Sequence, residues 1–326
     1  MADPGEWVEA MLDDMIRDRY APKDDLSVNN ENERKTKMSY SVVPNRANPM
    51  AVLFVVDQSG SMSDKMPKTG NTKADQVATV INKMFAELIT KAKKQDGVRD
   101  YYEVGVIGYG HRGVYNALQG PLSSKILNPI SQISNNPLRV ENRMNEIVTA
   151  TGDIVQVPES FPIWFDPVAS GGTPMSGAMQ LAAETIAPWC DAHPSSFPPV
   201  VIHITDGEYG DGDPSQIAEG IRSFTTEDGN VLLCNLHISS EAGSSIAFPD
   251  NPNGLPNEFA RKLFNMSSVI PESMHQSVKD TLGGNVELTP GTRFFTFNGN
   301  EVDIVKFLRV GTQGTQPVLI TYGGER

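Results

Sequence analysis

The sequence predicts an α/β protein with a doubly wound, mostly parallel sheet and helices on both faces. Two observations carry this reading. Short β-branched apolar runs recur along the chain, and between them lie segments whose apolar residues fall at helical spacing. The runs are apolar throughout rather than alternating, as strands covered on both faces of a parallel sheet require.

Ala51 to Val56 is the first such strand, and Lys73 to Lys91 follows with Val77, Val80, Ile81, Met84, Leu88 and Ile89 on one helical stripe. Tyr102 to Tyr109 reads as the next strand. Pro174 to Ala187 is a second helix, its stripe formed by Met175, Ala178, Met179, Ala182 and Ile186. After the strand Val200 to Ile204, Asp213-Pro214 signals a helix start: Asp caps, Pro fills the first turn and Gln216 occupies the capping-box place ahead of Ile217 and Ile221. Val231 to Ile238 is a strand, Asn257 to Asn265 a helix, Thr292 to Phe297 a strand and Glu301 to Leu308 a helix.

Residues 111–170 break the alternation. They are read as an insertion, a β-hairpin arm plus an ordered loop, with Phe161, Trp164 and Phe165 needing a surface to cover. Residues 1–46 are read as an N-terminal extension. It holds an amphipathic stretch (Trp7, Val8, Met11, Met15), the polar run Asn30 to Lys35 and an edge strand at Lys37 to Val43. The main domain is then 47–310, and 311–326 a C-terminal tail.

With 27 Lys and Arg against 40 Asp and Glu among 326 residues, the formal net charge is −13. That argues against nucleic-acid binding through a basic surface. No run approaches the ~18 apolar residues of a membrane helix, and the start lacks the basic and apolar regions of a secretion signal, so a cytoplasmic protein that does not enter a membrane is expected. Cys190 and Cys234 read as small core residues rather than a disulfide framework.

The first strand ends in Asp57-Gln58-Ser59-Gly60-Ser61, an acid and two hydroxyls at alternate positions in a tight turn. Val200 to Ile204 ends likewise in Thr205-Asp206-Gly207, and the loop Gly171-Gly172-Thr173-Pro174 brings a hydroxyl to a helix start, where Thr173 also suits an N-cap. In a doubly wound sheet, ligands collect beyond the carboxyl ends of the strands at the switch point. Two carboxylates and three hydroxyls form a hard-oxygen set suited to Mg²⁺, Mn²⁺ or Ca²⁺ and poorly suited to zinc. Glu208, Asp211 and Asp213 form a second acidic group without EF-hand spacing, in which Asp213 reads as a cap. His203 and His237 lie in strands and read as packing residues, whereas His111, in Gly110-His-Arg-Gly113 after the second strand, could reach the sheet's top edge.

Asp57-x-Ser59-x-Ser61, Thr173 in Gly-Gly-Thr-Pro and Asp206 in Thr-Asp-Gly together resemble, in order, the metal-ion-dependent adhesion site (MIDAS) of von Willebrand factor type A domains. The resemblance covers about Ala51 to Leu308 and is nearest to intracellular bacterial members. The chain departs from the pattern in a longer link, Ser63 to Thr72, and in the long stretch before Gly171. The resemblance implies that Ser59, Ser61 and Thr173 bind Mg²⁺ directly, or Mn²⁺ or Ca²⁺ in its place, while Asp57 and Asp206 hold it mainly through water. It implies a non-enzymatic module whose ion takes an Asp or Glu carboxylate from a protein partner, in a multiprotein complex with an ATPase or kinase.

Other readings compete with it. A metal-assisted hydrolase or phosphatase built on Asp57 would usually place a second acid two residues on, where this chain has Ser59. A scaffold subunit with a vestigial metal site, acting through the 111–170 arm, is the third reading. Gly-x-Ser-x-Gly, phosphate-loop and dinucleotide-binding patterns are absent.

Overall fold

A computed structural model describes residues 40–66, 70–148, 154–239, 244–283, 287–299, 306 and 309–310. The described residues, from Tyr40 onward, form one compact unit. The extension before Tyr40, the helix read at Glu301 to Leu308 (apart from Lys306) and the tail 311–326 lie outside the described residues.

The strands of the main sheet are β1 (Met50–Gln58), β2 (Tyr102–Gly110), β3 (Gly113–Asn116) and β4 (Asn128–Pro129). After the arm strands β5 (Arg139–Val148) and β6 (Ile154–Ile163) come β7 (Val200–Thr205), β8 (Leu232–His237), β9 (Ile246–Ala247) and β10 (Phe295–Phe297). The helices are α1 (Lys73–Ala92), α2 (Ile130–Asn135), α3 (Met175–Ala192), α4 (Ser215–Ser223), α5 (Glu258–Met266) and α6 (His275–Leu282).

The sheet runs β9-β10-β8-β7-β1-β2-β3, with β4 also on β2. The five central strands are parallel, and β3, β4 and β9 pair antiparallel at the edges. The chain leaves β1 for β2 on one side and later fills β7 on the other, so the order reverses at β1 and the carboxyl ends of β1 and β7 lie side by side.

β1 is buried along its whole length, and this explains its uninterrupted apolar composition. Met50, Val52, Phe54 and Val56 pack into one core with Val77, Ile81, Met84, Phe85 and Leu88 of α1. Ala51, Leu53 and Val55 are buried on the opposite face, where α3 lies against β1 and β2. The two faces separate by residue parity, the period of a strand.

Two helix starts, those of α3 and α4, differ from the sequence expectation because of how their first turns are capped. Pro174 occupies the cap position of α3 with no side-chain cap, so Thr173 is not the N-cap the sequence suggests. The amides of Ser176 and Gly177 instead donate to Asp211 Oδ1 (2.9 Å) and Oδ2 (2.8 Å), 34 to 35 residues away, which satisfies the helix's open donors from another loop. Asp213 takes up the Ser215 amide at 3.0 Å, so α4 starts two residues beyond it. α6 was not foreseen. It is short and carries only Ser277 and Val278 as buried positions, too few for a helical stripe to stand out.

Tyr40 to Val43 is irregular rather than an edge strand, and Lys37 to Ser39 lie outside the described residues. A carboxylate, not a ladder, holds this segment: the Ser41 and Val42 amides both donate to Asp228 Oδ2 at 3.0 Å, and the Tyr40 ring packs edge-on against Phe197.

The 111–170 stretch contains β3, β4, α2 and the arm. β5 and β6 form an antiparallel two-stranded ribbon in register from Arg139↔Ile163 to Val148↔Ile154. Pro158 and Pro162 lie within β6, a tolerable arrangement because a two-stranded ribbon consists only of edges. Val140 and Met144 are 57% and 59% exposed on it, while Phe161, Trp164 and Phe165 at its root are buried.

Candidate functional site

The end of β1 turns sharply because Asp57 Oδ1 accepts the Ser59 amide at 2.9 Å, an Asx turn that leads both serines across the sheet's top edge. Asp57 Oδ2 accepts the hydroxyl of Thr205, the last residue of the neighbouring β7, at 2.8 Å. A single buried carboxylate thus ties the two strand ends at the switch point. The Ser59 and Ser61 hydroxyls are 3.1 Å apart, and Ser61 Oγ donates to Asp206 Oδ1 at 2.8 Å. Asp57, Ser59, Ser61 and Asp206 therefore form one continuous group of oxygens.

Thr173 arrives through backbone packing. The Ser170 amide donates to Gln58 O (2.7 Å), the His111 amide to Ser170 O (2.7 Å), the Gly60 amide to Gly171 O (2.9 Å) and the Gly210 amide to Thr173 O (2.8 Å). The 170–173 segment is thus stitched between the ends of β1 and β2 and the loop after β7. Glycine is required for this approach: Gly171 has φ +83°, and a Cβ there would lie 2.4 Å from His111 Cα. Gly110 faces the same limit, since its Cβ would lie 2.6 Å from Gln58 O. With its helix capped by Asp211, Thr173 has no capping duty at α3, and its backbone is held beside the β1 turn by the Gly171 and Gly210 hydrogen bonds.

Lys73, the first residue of α1, is the residue that sequence reasoning missed. Its Nζ lies 2.8 Å from Asp206 Oδ2 and 3.1 Å from Asp64 Oδ2; the side chains of Lys73 and Asp206 are 5% and 1% exposed. A signal was present in the sequence, since a cation in a helix's first turn opposes the helix dipole and needs another reason to be there.

The second acidic group divides into structural roles. Asp211 caps α3, and Asp213 pairs with Lys262 at 2.6 Å. Among the described residues no three His, Cys, Asp or Glu side chains converge. The oxygen set at β1 and β7 differs in kind, being two carboxylates with hydroxyls, a donor chemistry that fits a hard divalent ion.

Burial pushes the Asp57 carboxyl up to about 6, against the hydrogen bonds from Ser59 and Thr205 that lower it. Beneath it runs a buried polar chain. His203 Nδ1 donates to Asn235 Oδ1 at 2.8 Å, and Asn235 Nδ2 donates to Ser267 Oγ at 2.9 Å. Ser267 Oγ in turn donates to Leu263 O at 2.7 Å, which fixes these polarities, so the remaining ring nitrogen, Nε2, accepts the Tyr109 hydroxyl at 2.8 Å. His203 is therefore a neutral packing residue as expected. Burial lowers both its imidazole and that of His237 to about 4.

These shifts predict a pH dependence. Between about 6.5 and 4 the unfolded chain binds protons that the two native histidines refuse, so stability is lost as pH falls. Asp57 acts in the opposite sense below about 6, because there the native state takes the proton first. Two groups outweigh one, and denaturant melts in EDTA should lose about 2–3 kcal/mol between pH 6.5 and 5. Unchanged or rising stability across that interval would refute the assignment.

No family model matches this chain, and no curated protein matches it. Among solved structures, proximal thread matrix protein 1 from the mussel byssus aligns at 15% identity and a TM-score of 0.36, over 69% of this chain and 43% of that one. The pilus adhesin SpaC from Lactobacillus rhamnosus GG aligns at 15% identity and a TM-score of 0.37, over 69% of this chain and 28% of that one. The chain thus spans less than half the length of either. No helix among the described residues is long and apolar enough to cross a membrane.

Proposed function

We propose that this chain is a von Willebrand factor type A-like domain of the intracellular bacterial type. It binds Mg²⁺, with Mn²⁺ or Ca²⁺ as substitutes, between Asp57, Ser59, Ser61, Thr173 and Asp206, and docks a partner's Asp or Glu carboxylate without catalysing a reaction. The observation that supports this most is the meeting of Asp57, Ser59, Ser61 and Asp206 at the adjoining ends of β1 and β7, linked to the Thr173 loop through Gly60 and Gly171. A bound ion would supply a positive charge poorly neutralised by its mostly uncharged ligands and so attract an anionic group. The chain's part is to hold the hydroxyls in place: Asp57 fixes the turn, and Asp206 orients Ser61. A cytoplasmic place in an assembly with an ATPase or kinase belongs to the same proposal.

Mn²⁺ titration of the full chain, followed by calorimetry, tests this. A single site is expected, and Thr173→Ala should weaken it about tenfold, because a hydroxyl is lost while the two serines remain. Wild-type affinity in Thr173→Ala would take that hydroxyl out of the ligand set. Capture of the partner should require Mg²⁺ and fail in EDTA. The exposed Val140 and Met144 on the arm favour a second reading, a scaffold that works through the arm. Partner capture that is indifferent to EDTA and lost on Met144→Ser would select it.

A further inference from the structure

Lys73 is in an unfavourable position twice over. It is the first residue of α1, where the helix dipole disfavours a cation, and its ammonium is buried. Among the described residues, its ammonium's partners are oxygens of the candidate site or its rim: Asp206 Oδ2 at 2.8 Å, Asp64 Oδ2 at 3.1 Å and Ser61 O at 3.3 Å. Asp206 is consequently engaged at both oxygens, Oδ1 by the Ser61 hydroxyl and Oδ2 by Lys73. The two contacts differ in what they allow. A hydroxyl can turn its proton away and offer a lone pair to an ion, whereas an ammonium has no lone pair and keeps its charge.

We propose that Lys73 is a built-in stand-in cation, one that neutralises Asp206 when the metal is absent and lowers the chain's own affinity for a divalent ion. The inference rests on the metal-binding reading above. Asp57 and Asp206 contribute two negative charges to the site and Lys73 removes one, while Asp64 is 56% exposed and screened by water. Affinity for hard divalent ions follows the ligand charge count, so a site with one net negative charge is weak. A partner carboxylate restores the missing charge, and metal and partner then strengthen each other's binding reciprocally. The same ammonium keeps Asp206 from being a lone buried charge, which allows the domain to fold before it meets an ion.

Mn²⁺ binding to the full chain tests this, read by calorimetry and by the Mn²⁺-induced rise in Tm, with Asp57→Asn as the control that locates binding at this site. Lys73→Met should bind Mn²⁺ at least tenfold more tightly than wild type. It should also melt lower in EDTA and show a larger rise in Tm with Mn²⁺. Lys73→Arg should retain wild-type affinity. Asp64→Asn should weaken binding several-fold, because Lys73 then gives its whole charge to Asp206. Mn²⁺ affinity in Lys73→Met equal to or below wild type, with Asp57→Asn still abolishing it, overturns the stand-in role and leaves the metal site standing. An absence of site-specific Mn²⁺ binding in wild type overturns both. Should Lys73→Met fail to fold, Asp64→Asn decides, and unchanged affinity there rejects the proposal.

Discussion

Asp57→Asn is expected to abolish divalent-metal affinity and yet raise the stability of the metal-free chain at neutral pH. Burial raises the carboxyl's pKa from the ordinary aspartate range to about 6, so keeping it ionised at pH 7 costs about 3 kcal/mol. An amide of the same shape removes that cost. Its oxygen still accepts the Ser59 amide, and its NH₂ can donate to Thr205 Oγ1, whose proton turns toward Gly207 O, 3.5 Å away. Melts in EDTA should therefore move upward, by up to about 2 kcal/mol once imperfect replacement of the hydrogen bonds is counted, while Mn²⁺ titration shows a loss of a hundredfold or more. Retention of Mn²⁺ affinity within a few-fold would place the ion elsewhere. A clear drop in EDTA stability would mean that the turn's hydrogen bonds to the carboxylate outweigh its desolvation.

The largest stability loss is expected at Asn82, 2% exposed in the middle of α1. Its amide nitrogen donates to Ala78 O and Phe165 O, each at 2.8 Å, and its oxygen accepts the Trp164 and Phe165 amides at 2.8 and 3.1 Å. These four bonds use its whole capacity. They fasten the root of the arm, where Trp164 also donates its indole N–H to Ile133 O, to the core helix. Asn82→Ala strands two buried amides and weakens the pairing of a carbonyl, at about 1–3 kcal/mol for each unsatisfied group, for a total near 4 kcal/mol. Asn82→Asp should be no better, since it sets a carboxylate against two carbonyl oxygens. Denaturant unfolding followed by tryptophan fluorescence measures this, and amide exchange at Trp164 and Phe165 should accelerate. A loss below about 1 kcal/mol in Asn82→Ala would show that the arm root is held by apolar packing alone.

What the sequence determined by itself is local in origin. The central strands β1, β2, β7 and β8 were legible because burial on both faces demands continuous apolar runs, and α1, α3 and α5 because one buried face imposes a helical stripe. The oxygen-bearing turns after Asp57 and Thr205 were legible because strand ends in such a sheet face one edge. The tertiary structure decided the long-range polar pairings: Asp211 capping α3, Asp228 holding Ser41 and Val42, Asn82 clasping Trp164 and Phe165, and Lys73 against Asp206. Each joins residues 34 or more positions apart through between one and four directional bonds. Such bonds leave no periodicity in the sequence, and a residue's type limits only what it can donate or accept. Lys73 alone left a trace, as a cation at a helix start, because there a long-range contact had to overcome a local preference.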